Sequence, residues 1–461
     1  MKKLVFLAPL LLATIASDKL ASLFEAPQPE TVAARPAARP TAAKGTTSTA
    51  TVADVVTAAN AFIASLSTTQ QATLIQTFNQ TNVAKWSNLP VSNGSRLGLR
   101  LDALTTAQQT LALAVVEAAT GTVGGEGFRE IQEIRAADDN LVANGGGNGY
   151  GSGVYLIAFL GQPSLTGTWM LQFGGHHLAT NITYRNGYVT GPTPKFEATE
   201  PLTFTTANAN VLPTGTVATP LGNEATAIQA LFAGLTTAQR TTARLSQTFT
   251  DVVLGPNGNG QFPTTPLGLQ CSQLTAAQQT LVMNAMRPWV LDADDATGAQ
   301  LLSYYETQLA NTYISYSGTG LFTSNADYAR IDGPNAWIEF VCQSGIVYRN
   351  QIHYHSIYRD RARDYGGNFY TTALGTQAAA AQVFAVYPNP AYAGSSLQVQ
   401  LEMPAASATY TLRNMLGQRL SSGAFSGSST EVATSGLAIG TYLLSVEVAG
   451  QSPVTRKVLV Y

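Results

Sequence analysis

The sequence predicts an α+β protein, an internally duplicated helix-plus-antiparallel-sheet domain followed by a small all-β sandwich. Three observations predict this. A helix-start phrase occurs four times, and the text around it repeats at an offset of 170 residues. Each copy then runs into glycine-bounded stretches that read as strands. Residues 384–461 alternate apolar and polar side chains in short runs between glycine turns. At 461 residues the chain is long enough for two or three domains. A net charge of −2 with no basic block argues against nucleic acid as a partner.

The first element is MKKLVFLAPLLLATIAS, with Lys2 and Lys3 ahead of an apolar run from Leu4 to Ala16. That pattern predicts a secretory signal peptide over 1–17, too short to span a bilayer as a mature helix. No later run is long and apolar enough to cross one, so no transmembrane helix is expected in the mature protein. Residues 18–52, ending in PAARPTAAKGTTSTAT, read as a low-complexity linker.

The duplicated domain is expected over 53–372, with halves at about 54–195 and 224–370. Its first helix is marked by Val55, Val56, Ala59, Phe62, Ile63 and Leu66 at helical spacing. LSTTQQ from Leu66, LTTAQQ from Leu104, LTTAQR from Leu235 and LTAAQQ from Leu274 each place Ser or Thr three residues before Gln. This is a capping box: the hydroxyl and the amide each satisfy a backbone group at the helix start. LGLRLDALTTAQQTL from Leu97 matches LGLQCSQLTAAQQTL from Leu267, and FIASLSTTQQ from Phe62 aligns with LFAGLTTAQR from Leu231. Two matches at nearly one offset argue for duplication of a large unit. Third helices are expected at Phe128–Leu141 and Gly298–Tyr313. The loop GGGNGYGSG lacks the Lys-Ser/Thr of a phosphate-binding loop and reads as a turn.

Strands follow, and their repeat aligns Trp169 with Trp337 and Tyr184-Arg185 with Tyr358-Arg359. Strand parity then puts Leu178, Ile182, Tyr184, Ile352, Tyr354 and Tyr358 on a core face. His177, Asn181, Arg185, His353, His355 and Arg359 fall on the opposite face, turned away from the core. The four histidines of the chain form two pairs, His176-His177 in FGGHHL and His353/His355 in IHYHSIYRDRARDYGG. Imidazole is the commonest side-chain ligand for borderline metals, so a divalent metal, zinc or copper foremost, is expected on His177, His353 and His355. His176 has the wrong parity and joins only if a turn redirects it. Asp360, Asp364 and Glu339 are candidates to orient the imidazoles or act as a base, against the simpler reading that they pair within the sheet. Arg185 and Arg359 suit a carboxylate, phosphate or sulfate on an unknown small-molecule or polymer ligand. The leading function is a metal-dependent secreted or surface hydrolase. The alternative is a non-catalytic ligand-binding or structural surface protein. Cys271 and Cys342, in an exported chain, are expected to bridge, closing a loop worth roughly 4 kcal/mol.

Residues 373–383 read as a second linker. The final stretch carries YPNPA from Tyr387, YTLRNMLGQ from Tyr410, LAIGTYLLSV from Leu437 and RKVLV from Arg456, the pattern of a small immunoglobulin-like sandwich. It resembles the C-terminal sorting domain of type IX secretion. The resemblance implies a partner in that secretion machinery and passage through the periplasm to release or surface attachment. From about Ala53 to Tyr370 the chain resembles the domain of unknown function 3500 family. That likeness rests on KWSNLP from Lys85, RLGLRLDALT from Arg96, FGGHHL from Phe173 and HYHSIYRDRARDYGG from His353. It names no reaction.

Overall fold

Four helices begin where the capping boxes stand. Helices α1 (Val52–Ala64), α2 (Thr68–Leu74), α3 (Gln80–Val83), α4 (Thr106–Ala119) and α5 (Phe128–Ala143) occupy the first half. Helices α6 (Gly222–Ala233), α7 (Thr237–Ala243), α8 (Ala276–Leu291) and α9 (Asp295–Gln308) occupy the second. Ser67, Thr105, Thr236 and Thr275 are the N-caps of α2, α4, α7 and α8, each with the reciprocal Gln contact. Helix α9 starts earlier than the sequence suggests because Asp294 caps it, accepting from the Thr297 amide at 3.1 Å. It also stops earlier, since Tyr313 opens a strand. The computed structural model describes residues 50–370 and 384–461, apart from 93–94, 208, 210, 415–417 and 449–452. The expected signal peptide, nearly all of the first linker, and the linker at 373–383 lie outside the described residues. No described helix is long and apolar enough to cross a membrane.

The strands are β1 (Ile75–Gln76), β2 (Leu99–Arg100), β3 (Leu156–Leu160), β4 (Thr168–Gly175), β5 (Leu178–Arg185), β6 (Tyr188–Gly191) and β7 (Lys195–Thr199). A small ribbon of β8 (Phe204–Thr205) and β9 (Val217–Ala218) precedes β10 (Leu269–Gln270), β11 (Tyr313–Ser317), β12 (Tyr328–Asp332), β13 (Ala336–Ser344) and β14 (Ile352–Asp360). One sheet runs β1-β3-β4-β5-β7-β14-β13-β12-β11-β10, with β2 on β3 and β6 on β5. Its order reads alike from both ends, β3-β4-β5-β7 meeting β14-β13-β12-β11 at the antiparallel β7–β14 pair. On that order β14 corresponds to β7, not to β5. The expected alignment of FGGHHL with the β14 histidines therefore does not hold. Trp169 pairs with Tyr184 and packs in the helix-covered core, whereas Trp337 pairs with Arg359 and packs on Leu254 and Phe262. The two tryptophans are on opposite faces.

Helices cover one face of the sheet. Val55, Phe62, Val115, Ile228, Val282 and Trp289 pack there with Phe159, Trp169, Tyr184, Phe340, Tyr354 and Tyr358 in one continuous core. Leu178, Ile182 and Tyr184 take the expected face. The other face is not open: Leu160, Met170, Phe196, Ala198 and Ile357 pack beneath Val83, Trp86 and Tyr365. Both cysteines are buried free thiols, correcting the expected bridge. Cys271 follows β10 level with Ala336 of β13, so Cys342 lies three strand spacings across and six residues along from it, roughly 24 Å away. Disulfides span Cα separations under about 7 Å.

The C-terminal unit is all-β: β15 (Phe384–Tyr387), β16 (Ser396–Asn414), β17 (Arg419–Ala433), β18 (Gly440–Val448) and β19 (Val454–Val460). They form a five-stranded antiparallel sheet, β15-β16-β18-β19 with β17 on β16. Alternate side chains, including Phe384, Leu397, Val399, Leu412, Leu444 and Val458, make its own core.

Candidate metal centre

The site begins at the β4–β5 hairpin. Gly175 pairs with Leu178, so His176 and His177 are the two-residue turn between them. Gly175 is required by close approach, since a Cβ there would lie 2.7 Å from the Tyr155 ring. The Tyr155 hydroxyl in turn donates to the His176 carbonyl at 2.7 Å. His177 has φ 63°, a left-handed conformation uncommon outside glycine. Two backbone bonds hold it there: its N–H donates to the Asn88 carbonyl at 3.1 Å, and its carbonyl accepts from Ala198 at 2.8 Å. His177 is thus placed by a turn and not by strand parity.

Strand β14 supplies the other two imidazoles. His353 and His355 share the face away from the helices, and their Nε2 atoms are 3.1 Å apart. His177, His353 and His355 each bring a ring nitrogen into one group in which every pair lies within 4.8 Å. The expected exposure of this face is corrected: His353 is 1% exposed, His177 4% and His355 6%. The Asn88 carbonyl meets His177, the Phe196 ring packs edge-on to His355, and Asp251 closes on His355 from the rim. Burial first, then His355 and His176, pull His353 down to about 3. Burial and the neighbouring imidazoles hold His177 well below the usual histidine range. Both are therefore neutral at physiological pH, the form that offers a lone pair to a metal.

His355 also has an outer partner that sequence reading did not find. Its Nδ1 lies 3.0 Å from Asp251 Oδ1, and the Asp251 side chain is 48% exposed at the rim. A carboxylate on Nδ1 fixes the proton there and turns the Nε2 lone pair inward, the usual support for a metal-bound histidine. No pattern in the sequence points to Asp251, which stands 104 residues before its histidine.

The remaining candidates are engaged elsewhere. His176 stacks on His177 with ring centroids 3.6 Å apart, and its Nδ1 meets buried Asp138 at 2.7 Å. It stands outside the three-nitrogen group. Arg359 is fully buried, donating to the Leu254 and Gly255 carbonyls and pairing with Asp364 at 2.9 Å. Asp364 also accepts from the Asp360 amide. Asp360 faces the helices, where it accepts from Tyr305 at 2.6 Å and pairs with Arg363 at 3.2 Å. Arg185 donates to Asn368 and to the Thr168 hydroxyl. Glu339 accepts from the Val253 and Leu254 amides, Tyr328 and Trp337. Arg359 and Glu339 brace the loop 253–255, and none of these carboxylates and guanidiniums is hydrogen-bonded to the three imidazoles.

A second polar cluster, also missed, lies on the helix side of β7. Glu126, Glu130, Glu224 and Asp292 are all buried, with one oxygen of each within 4.8 Å of the others. Lys195 reaches from β7 to Asp292 and Glu197, at 2.6 Å each. Burial first, then Asp292, pushes Glu126 up to about 8, and burial with the neighbouring carboxylates drives Glu130 and Glu224 well above the usual range. Both buried clusters offer groups that could hold a metal ion.

The four motifs with the family resemblance meet around the histidines. Arg96 bonds the Ser87 and Gly175 carbonyls, at 2.7 and 2.8 Å, tying KWSNLP to FGGHHL. The Trp86 indole donates to Tyr365 at 2.8 Å, and its ring lies 5.5 Å from the Arg359 guanidinium. No curated protein matches the chain. Residues 385–461 match the secretion system C-terminal sorting domain. The protein is accordingly exported, secreted or attached to the outer cell surface, with the type IX machinery as its partner in transit. Residues 48–367 match the family described as protein of unknown function (DUF3500), and the chain belongs to that family.

Proposed function

We propose that His177, His353 and His355 hold one zinc or copper ion in an exported metalloprotein, and that the centre is hydrolytic. The observation that carries the metal reading is the convergence of three ring nitrogens within 4.8 Å of one another, two of them, on His353 and His355, at 3.1 Å, a spacing that a direct N–H···N hydrogen bond also gives. Two ligands bound at about 2.0–2.1 Å with about 90–110° between them stand about 2.9–3.4 Å apart. The neutral His177 and His353 rings and Asp251 behind His355 support it. Three protein nitrogens leave a position for water, whose proton a bound zinc ion makes easy to lose near neutral pH. With Asp360, Asp364, Arg359 and Arg185 engaged elsewhere, Asp251 at the exposed rim is the better candidate for positioning the centre.

A second reading, a closed structural or ligand-binding centre, is favoured by one observation, the near-complete burial of all three rings. One experiment separates the two. Protein purified without an affinity tag, loaded with zinc, is tested against a panel of ester, peptide and phosphoester substrates. The hydrolytic reading expects metal-dependent turnover that His353→Ala removes. Full metal occupancy without turnover assigns the centre to structure or binding.

The domain limits proposed with this reading are a signal peptide at 1–17, a linker at 18–52, a duplicated domain over 53–372 and a sorting domain at 384–461. The mirrored sheet order and the repeated capping boxes support duplication, with the first half extended to β7. An immunoglobulin-like sandwich remains the proposed class of the sorting domain.

A further inference from the structure

We propose that Glu126, Glu130, Glu224 and Asp292 form a second metal site, a hard-oxygen cage for Ca²⁺ that locks together the two halves of the sheet-and-helix domain. It is separate from the histidine centre, lying on the other face of β7, and does not depend on that reading.

The four carboxylates come from four places that the fold brings together. Glu126 precedes α5 and Glu130 is in its first turn, while Glu224 is in the first turn of α6 and Asp292 follows α8. In three of them one oxygen is fixed by a donor. Asp292 Oδ1 accepts from the Gly127 amide at 2.6 Å, Glu130 Oε1 from the Leu221 amide at 3.0 Å, and Glu126 Oε1 from Asn223 at 2.7 Å. The other oxygens carry the inference. Glu126 Oε2, Glu130 Oε2 and Glu224 Oε1 are buried with no hydrogen-bond partner, on residues that are 4%, 1% and 1% exposed. Buried carboxylate oxygens without donors are rare, and each calls for an ion, a water or a shared proton.

Charge narrows the choice. Lys195 already pairs with both Asp292 and Glu197, so one lysine faces five buried carboxylates. A divalent cation takes the place of the protons that these raised carboxyls otherwise keep and coordinates the orphaned oxygens together. The donor set selects among cations. All four ligands are carboxylates, with no nitrogen or sulfur, which suits hard ions. Mg²⁺ keeps several waters and rarely takes an all-protein cage, whereas Ca²⁺ accepts six to eight oxygens in flexible geometry. An exported protein also meets Ca²⁺ outside the cell. Position supplies the consequence. The loops after α4 and α8 meet beside the cage, where Gly121 donates to the Asp292 carbonyl at 2.9 Å, so the ion binds at the seam between the halves.

The test uses the full mature chain. Calcium is measured by elemental analysis in protein as isolated. Thermal unfolding is then followed after EDTA treatment, with and without added CaCl₂. The expected result is calcium near one per chain as isolated, or a rise in Tm of about 4 °C when Ca²⁺ exceeds its Kd a hundredfold. The paired change Glu130→Gln with Glu224→Gln should abolish both the calcium and the shift. His353→Ala should leave both intact, so failure of the histidine centre and failure of this cage are distinguishable. Absence of calcium as isolated together with an unchanged Tm in CaCl₂ overturns the proposal and leaves proton sharing among the carboxylates as the account. A Ca²⁺ response that survives the paired change overturns it as well. If the paired variant does not fold, the wild-type measurements decide alone.

Discussion

Replacing Asp251 by Ala removes only the outer support of the proposed metal centre. The Asp251 carboxylate touches His355 Nδ1 at 3.0 Å and is half exposed, and it also accepts from the Val252 amide beside it and from Gln343. Truncation therefore opens no cavity in the core, and loss of such an exposed pair costs about 0–1 kcal/mol of stability. The metal should feel more. Without Asp251 the His355 proton is free to move to Nε2, which then cannot bind a metal. Loss of such an outer partner weakens metal binding by about 10–100-fold, or about 1.4–2.8 kcal/mol. The assay is competition for Zn²⁺ against a chromophoric chelator at pH 7.5, with urea unfolding of the metal-free protein alongside. Asp251→Asn, which retains an acceptor, should fall between wild type and Asp251→Ala. Zinc affinity unchanged within about twofold would refute the reasoning, as would a loss of affinity fully matched by a loss of fold stability.

Further expectations follow from the same contacts. In metal-free protein, His353 is pulled below its unfolded value near 6.5 to about 3, so the neutral ring favours folding above pH 6.5. That contribution is lost as pH falls from about 6.5 toward 3, with a slope of up to about 1.4 kcal/mol per pH unit. Urea midpoints at pH 7.5 and 5 should differ by less in His353→Gln, and equal pH sensitivity in the two proteins would count against a buried neutral ring. Cys271 and Cys342 should leave thermal stability indifferent to reductant and react with a thiol reagent only after unfolding. A reductant-dependent Tm would restore the bridge. Thr275→Ala, which removes the α8 cap, should cost about 1 kcal/mol in urea unfolding, and no loss would mean the box is decorative.

Local chemistry was legible in the sequence and long-range pairing was not. Capping boxes involve residues three apart, so Ser67, Thr105, Thr236 and Thr275 could be placed as helix starts from text alone. Strand parity found His353 and His355 on one face because β14 is regular along its whole length. The same parity rule put His177 in the right company for the wrong reason. Its position comes from the hairpin turn and from hydrogen bonds to Asn88 and Ala198, distant in sequence. Exposure was misjudged because a period of two marks one face as core but says nothing about what covers the other. Asn88 and Asp251, which meet His177 and His355, come from loops without periodicity. The carboxylate cage was invisible for a related reason. Glu126, Glu130, Glu224 and Asp292 converge only through the packing of α5, α6 and α8, and each looks like a surface acid in its own segment.

The central claim is that three buried imidazoles bind one metal ion. The most direct measurement is elemental analysis of untagged protein after exhaustive dialysis and reconstitution with Zn²⁺ or Cu²⁺, for wild type and for His177→Ala, His353→Ala and His355→Ala. The account predicts about one transition-metal ion per wild-type chain and a large loss in each variant, with the fold retained by circular dichroism. A wild-type chain that holds no stoichiometric ion after reconstitution, or variants that keep theirs in full, would contradict it.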